Sequence, residues 1–407
     1  MSITADTRTS VLYLSHNGMT EPLGRRQVLP YLVGLSARGW RFTVISFEKP
    51  WTALPDAVAR VKEIASASGI VWRPLRYHHR PALISTAYDI VQGWQEGKLL
   101  GHGAALIHAR STVAALMARM ICRGLGAPWV FDLRGLLAEE YVDAGHWRRG
   151  GLRHRVTSWA ERRLLRSADG VVTLTEAILE RLPGAVGLRR DRPATVIPCS
   201  VDLEVFQPSP AWRREVRNGF GWKDEPVLVY SGSLGSWYRL EEMLDFFETA
   251  RQQLVGLRFL VLTPHAPAAT DVVRARALTG CVSVLSLSPD AVPRYLAAGD
   301  AGICFLGPHP SKVASSPTKY GEYLAAGLPV LTNSGTGDAR ALATEPAWIL
   351  IDSFAEDQYQ RAVARLARLL ATPEASRTAA RGLARRHFAL DTAIDRYEQL
   401  YQTVLGG

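Results

Sequence analysis

Residues 301–332, AGICFLGPHPSKVASSPTKYGEYLAAGLPVLT, hold an apolar run, a turn-rich loop, a helical pattern and a second apolar run in close succession. The short apolar runs 301–306 and 329–332 read as strands. Between them, Ser316 reads as an N-cap with Pro317 at the first helical position, and Gly327 follows Ala326 as a stop. Strand, helix and strand in that order predict a parallel crossover unit.

The same alternation extends on both sides. C-terminal units comprise a strand at 226–230, a glycine-rich turn Ser231-Gly232-Ser233-Leu234-Gly235, a helix at 240–254, strands at 257–262 and 282–285, and a helix at 291–298. Upstream lie a strand at 11–14, a loop to Gly24, a helix at 27–38 and a strand at 42–46. Strands at 105–108, 129–132, 170–175 and 195–198 follow, with helices at 112–124 and 151–167 and a long loop after 132. A segment through Asp202, Pro208 and Pro210 reads as an interdomain linker. Residues 358–370 and 375–404 are helical, with Phe388, Ile394, Tyr397 and Tyr401 close to one helical spacing. The expected fold class is α/β: two Rossmann-like, doubly wound parallel-sheet domains over 1–198 and 199–385, with a C-terminal helix at 386–407 packing back towards the first. Ligands of such sheets bind outside the carboxyl ends of the strands, so a site in the cleft between the lobes is expected.

The chain has 407 residues with 47% hydrophobic and 21% charged residues, a composition that excludes disordered and fibrous classes. No apolar run is long enough to span a bilayer, and the polar stretch 1–10 lacks the apolar core of a signal peptide, so a cytosolic start is expected. Cys122, Cys199, Cys281 and Cys304 are dispersed without a CxxC pair and read as small hydrophobes of a reducing compartment. The histidines show no zinc spacing, and no metal is expected. Residues 1–200 contain 27 basic and 16 acidic residues, whereas 201–407 contain 21 and 22. One half therefore carries the whole surplus of +10. Either that half faces something anionic, or the surplus is only a solvated arginine-rich surface.

The helix expected after Ser316 presents unpaired N–H groups and a partial positive charge, a seat for a diphosphate. Lys319 could add a full charge, and Glu322, one turn on, could accept the hydroxyls of a ribose. On the residues alone, Lys319 and Glu322 are equally an exposed i,i+3 pair. The turn 231–235 has neither GxGxxG nor GK[ST], but it sits at a strand's carboxyl end, where phosphate loops lie. In the first half, Gly18 and Gly24 bracket a loop that could close over a sugar or phosphate, with Arg25 and Arg26 beyond it. His108 with Arg110, and Asp132 with Arg134, Glu139, Glu140 and Asp143, mark two further charged loops at strand ends.

Together MTEPLGRRQVLPYL, DLRGLLAEE, IPCSVDLEVF, YSGSLGSWY and above all SSPTKYGEYLAAGLPV with NSGTGD resemble the retaining GT-B glycosyltransferases of family 4. The resemblance covers nearly the whole chain. It implies a nucleotide-diphosphate sugar as donor on the C-terminal lobe, a saccharide or lipid-linked acceptor on the N-terminal lobe, no metal or other cofactor, and a role in surface polysaccharide or glycolipid synthesis. It places the donor ribose on Glu322 and donor contacts on Gly18, Gly24, Gly232, Ser233, Ser315, Ser316, Thr318 and Lys319. Lys319, Arg134 and Glu322 are the expected catalytic residues. Three positions depart from the family. Ala314 stands where its first motif glutamate would fall, Ser233 and Tyr238 near its diphosphate-clamping Arg and Lys, and Arg134 in place of an N-lobe histidine. Lys319 is then the expected substitute cation, with Arg134 a second, and Asp132, Glu139 and Glu140 are candidates to orient the acceptor. A cytoplasmic enzyme in peripheral contact with the anionic inner face of the plasma membrane is expected, with no nucleic-acid partner. The alternatives are a GT-B sugar-nucleotide epimerase and a non-catalytic sugar-nucleotide or polysaccharide-binding partner.

Overall fold

The structure is a computed structural model and describes residues 9–186, 188, 191–235 and 237–406. The chain divides into two compact units, one built up to Pro198 and again from Ala393, the other from Cys199–Thr392. The first holds β1 (Ser10–Ser15), β2 (Arg41–Glu48), β3 (Val71–Arg76), β4 (Leu106–Arg110), β5 (Trp129–Leu133), β6 (Gly170–Thr173) and β7 (Ala194–Val196). These pair in parallel in the order β3-β2-β1-β4-β5-β6-β7.

In the second unit, β8 (Val227–Ser231), β9 (Arg258–Leu262), β10 (Val282–Leu285), β11 (Ala301–Cys304), β12 (Val330–Asn333) and β13 (Trp348–Ile351) follow the same winding, β10-β9-β8-β11-β12-β13. All pairs are again parallel. The central strands β8 and β11 are buried along their whole length. Two apolar clusters fill this unit, one including Val229, Tyr323 and Trp348, the other Tyr230, Phe246 and Phe305. The continuous apolar runs in the sequence are the consequence of this two-sided cover.

Several expected boundaries move. The long loop after β5 contains the helix Leu137–Asp143, whose first turn carries Glu139 and Glu140. The expected helix at 27–38 is preceded by a short one, Pro22–Gln27, so Arg25 and Arg26 lie in a last turn rather than at a helix start. The 375–404 segment is two helices, Pro373–His387 and Leu390–Gly406. The break comes where Val201 donates to the Phe388 carbonyl at 2.8 Å and accepts from the Leu390 amide at 3.0 Å. All four cysteines are free thiols; Cys199 and Cys304 are buried, Cys122 and Cys281 half-buried. Among the described residues no helix is long and apolar enough to cross a membrane.

Candidate functional site

In each unit the winding reverses between two central strands, β1 and β4 in the first and β8 and β11 in the second. Loops leaving the carboxyl ends at such a reversal diverge and leave room for a ligand. In the second unit they are the glycine-rich turn after Ser231 and the segment after β11 that passes through the short helical turn Pro310–Ala314 into the helix Thr318–Ala325.

Lys319 lies at the junction of these two loops. It is 6% exposed, and its Nζ stands 3.6 Å from the Tyr238 ring centroid and 5.5 Å from that of Tyr230. A buried ammonium over an aromatic face keeps its charge while losing water. Burial acts against that charge, but Tyr238, Cys304 and Glu322 act for it, and the Lys319 pKa lies above the ordinary lysine value. Burial pushes the Cys304 thiol up to about 12, so it serves here as a packing group. The ammonium presses on Gly232, where a Cβ would meet Nζ and Cε at 2.4 Å. Gly232 also has φ +140°, a conformation that favours glycine. Tyr230 fixes the turn by donating its hydroxyl to the Ser233 carbonyl, and the Ser231 amide donates to the Tyr323 hydroxyl at 2.7 Å.

The alternative of an exposed Lys319–Glu322 pair is not what forms, since Glu322 is only 4% exposed. The helix start also differs from expectation. Pro317, not Ser316, is the cap residue, and no side chain caps the end. Ser316 instead accepts from the Cys199 amide at 3.2 Å, while the Ser315 amide closes the preceding turn on the Lys312 carbonyl at 3.0 Å. Ser315, Ser316 and Thr318 are half-buried around an N-terminus that keeps its capacity for an anion.

A second buried lysine has no local signal in the sequence. Lys312 is 5% exposed, and its Nζ stands 3.6 Å from the Trp237 ring centroid, with His309 against the same ring at 5.3 Å between centroids. Thus adjacent aromatics of one loop, Trp237 and Tyr238, each receive a buried lysine from the segment after β11. The Gly307 amide bonds the Trp237 carbonyl at 2.7 Å and ties the two segments together.

In the first unit the loop after β1 is closed on internal carboxylates. The Met19 and Thr20 amides donate to Glu48 at 2.7 and 3.0 Å, and the Gly18 amide to Glu21 at 2.8 Å. Gly18 and Gly24 permit this close approach, for a Cβ on Gly24 would lie 2.2 Å from the Gly18 carbonyl oxygen and one on Gly18 2.6 Å from Glu48 Oε2. Beside this loop, the fully buried Asp89 receives His16 Nε2 at 3.2 Å and His78 Nδ1 at 2.6 Å. His78 is aligned by Asp89, which lies two turns inside the helix Ala82–Leu100.

Asp132 is 1% exposed and is not available to an acceptor. Its oxygens face Arg134 Nη1 at 3.4 Å, His108 Nε2 at 3.5 Å and Arg110 Nη1 at 4.0 Å, and Tyr397 donates its hydroxyl at 3.0 Å. Burial alone would raise its pKa, but Arg134, His108 and Arg110 more than offset this, holding the carboxyl below the usual range. Arg134 is thereby anchored, with Nη1 also 3.5 Å from the Ile197 carbonyl. Glu139 is engaged by Arg149 and by His154 at 3.0 Å. Among the described residues, no group of three or more His, Cys, Asp or Glu is placed to hold a metal ion.

Residues 24–200 match a family model described as a glycosyl transferase 4-like domain. No curated protein matches the sequence. Among solved structures, the chain is similar to Anabaena HepE in complex with UDP-glucose, with TM-score 0.72, 17% identity and coverage of 98% of this chain and 100% of that one. It is similar to sucrose-phosphate synthase from Thermosynechococcus elongatus, with TM-score 0.70, 16% identity and coverage of 98% and 100%. A third likeness is to WaaG, a glycosyltransferase involved in lipopolysaccharide biosynthesis, with TM-score 0.67, 17% identity and coverage of 95% and 98%. The fold is thus that of the GT-B glycosyltransferases, and the domain match supports a glycosyltransferase.

Proposed function

We propose that this chain is a retaining, metal-independent glycosyltransferase that moves a sugar from a nucleotide-diphosphate donor to a saccharide or lipid-linked acceptor in surface polysaccharide or glycolipid synthesis. The observation that carries the reading is Lys319: a buried ammonium against the glycine turn after β8, beside an uncapped helix N-terminus. Where the family is expected to have a clamping Lys, this chain has Tyr238, and Tyr238 is the face on which Lys319 rests. One cation has been exchanged for an aromatic that seats another, so the diphosphate would still meet a positive charge and backbone amides.

In the proposed reaction the bond between the anomeric carbon and the β-phosphate oxygen breaks, and the acceptor oxygen bonds to that carbon from the same face. The acceptor proton passes to the departing phosphate. Lys319 and the helix N-terminus stabilise the charge that grows on the leaving diphosphate, Glu322 holds the ribose, and Arg134 is the second proposed cation. The UDP and UDP-glucose named for the HepE structures make a UDP-hexose the first donor to try. A lipid-linked acceptor on the basic first unit and peripheral contact with the inner face of the plasma membrane complete the reading.

Thermal shift against UDP-, GDP-, dTDP- and ADP-sugars identifies the donor, because a ligand bound only by the folded state raises its Tm. With that donor, Lys319→Met is expected to lower kcat/KM by about a hundredfold or more, the range seen when one transition-state charge partner is lost. A Lys319→Met protein that turns over donor like the parent overturns the site. Donor binding with neither hydrolysis nor transfer would favour the non-catalytic alternative, and product formed without acceptor the epimerase.

A further inference from the structure

The helix Leu152–Ser167 in the first unit buries Glu161, Leu164 and Leu165, yet it leaves an apolar stripe in solvent. Leu152 is 78%, Val156 54% and Trp159 61% exposed, at positions i, i+4 and i+7, which share one face. An apolar stripe of this kind normally faces a core. Arg153, Arg155, Arg162, Arg163 and Arg166 lie on the same helix, and its one carboxylate, Glu161, is turned inward to the Leu137 amide and the Thr112 hydroxyl.

At the end of the stripe, Trp159, Arg162, Arg163 and Arg166 line a pocket with Arg119 from the neighbouring helix Thr112–Leu125. The Arg163 guanidinium stands 5.7 Å from the Trp159 ring centroid. Burial and the like charges of Arg123 and Arg163 act against Arg119 and lower its pKa. A basic pocket in the second unit differs. Its Arg213, Arg217 and Arg377 converge on Asp300 at 2.6, 2.6 and 3.5 Å, a shared carboxylate inside the pocket that offsets part of their charge.

We propose that this face of the helix Leu152–Ser167 docks on an anionic lipid bilayer, with lipid phosphate in the pocket formed by Arg119, Arg162 and Arg163 and with Leu152, Val156 and Trp159 entering the headgroup region. An apolar ridge continuous with a cationic pocket fits an amphiphile whose phosphate adjoins its chains, and tryptophan favours that boundary. A second copy of the chain would bring the same arginines into opposition, and a free phosphate would leave the ridge uncovered. For its part in transfer this inference rests on the lipid-linked acceptor reading; the binding itself does not.

The test is co-sedimentation of the full chain with phosphatidylcholine vesicles and with vesicles that also contain phosphatidylglycerol. Binding to the mixed vesicles alone is expected, weakened by salt. Leu152→Ser/Trp159→Ser and Arg162→Gln/Arg163→Gln should each reduce it about tenfold or more, with Tm unchanged because the altered groups are solvent-facing. Absence of binding, binding that ignores both double variants, or full release by inorganic phosphate at low millimolar concentration overturns the proposal. So does self-association that the ridge variant abolishes while vesicle binding is absent. Donor thermal shift is read on the same preparations: its loss with vesicle binding intact strikes the transferase reading alone, and the reverse result strikes the docking alone.

Discussion

At Lys319 the decisive quantity is distance to backbone. An ammonium whose neighbour is a glycine turn leaves no room for a side chain there, and the Cβ of an alanine at 232 would fall 2.4 Å from Nζ. Gly232→Ala is therefore expected to push Lys319 out of its seat on Tyr238 and to strain a backbone at φ +140°. The loss should appear as a fall of tenfold or more in donor affinity, with a smaller decrease in Tm; an alanine variant with parental donor affinity would show that the contact has no role. Lys319 and Glu322 were legible in the sequence because a serine–proline helix start and a glycine stop frame them. Lys312 was not. In Pro-Ser-Lys-Val it looks like a solvated turn residue, and only the arrival of Trp237 from a distant loop buries it. Likewise nothing local in Phe-Asp-Leu-Arg shows that Asp132 is enclosed, since the group that completes its cover, Tyr397, lies near the chain's end.

At the scale of elements, the central strands and the edge strands β7 and β10 were readable as apolar runs, whereas the edge strands β3 and β13 were not. β3 is the outermost strand of its sheet and carries Pro74, tolerable only at an edge, with alternately exposed residues that resemble a loop. The helix Leu137–Asp143 was hidden for another reason: its start is satisfied from outside. Glu161 Oε1 accepts from the Leu137 amide at 2.8 Å, a cap donated by another helix. Burial raises this carboxyl, the Leu137 amide and Thr112 hydroxyl lower it in part, and its pKa ends pushed up to about 7 against an ordinary 4.5. The folded chain thus holds a proton that the unfolded chain releases between those values, so stability is fully present below the lower one and falls as pH rises through the upper one. The change is on the order of 3 kcal/mol. Glu161→Gln keeps the accepting oxygen and removes the titration. Denaturant midpoints should be alike near pH 4.5 and favour the glutamine variant at pH 8; equal pH slopes in both proteins would refute the assignment.

Across the whole molecule, charge and connectivity divide along the same line. With its C-terminal segment included, the first unit has 28 basic and 18 acidic residues and the second 20 and 20, so the full +10 belongs to one unit and the other is neutral. The chain enters the second unit once and returns, and the returning helix Leu390–Gly406 completes the first unit's interior. Tyr397 donates to Asp132, Tyr401 lies 2.7 Å from His108 Nδ1, and Ile394 packs on Gly34 so closely that a Cβ there would be 2.2 Å away. Asp132 without Tyr397 would be a buried carboxylate facing water-poor surroundings with one fewer donor, and the loss of the helix would also uncover Tyr13 and His108. Truncation after Ala389 is accordingly expected to remove the cooperative unfolding of the first unit, while the second, whose closure by Val201 on Phe388 survives, keeps its own transition within a few degrees, about 3 °C. Calorimetry on the truncated and full chains, repeated with the donor identified by thermal shift, separates the two. Loss of both transitions together would mean that the units do not fold as separate bodies, and retention of both would mean that the terminal helix is dispensable to the core it fills.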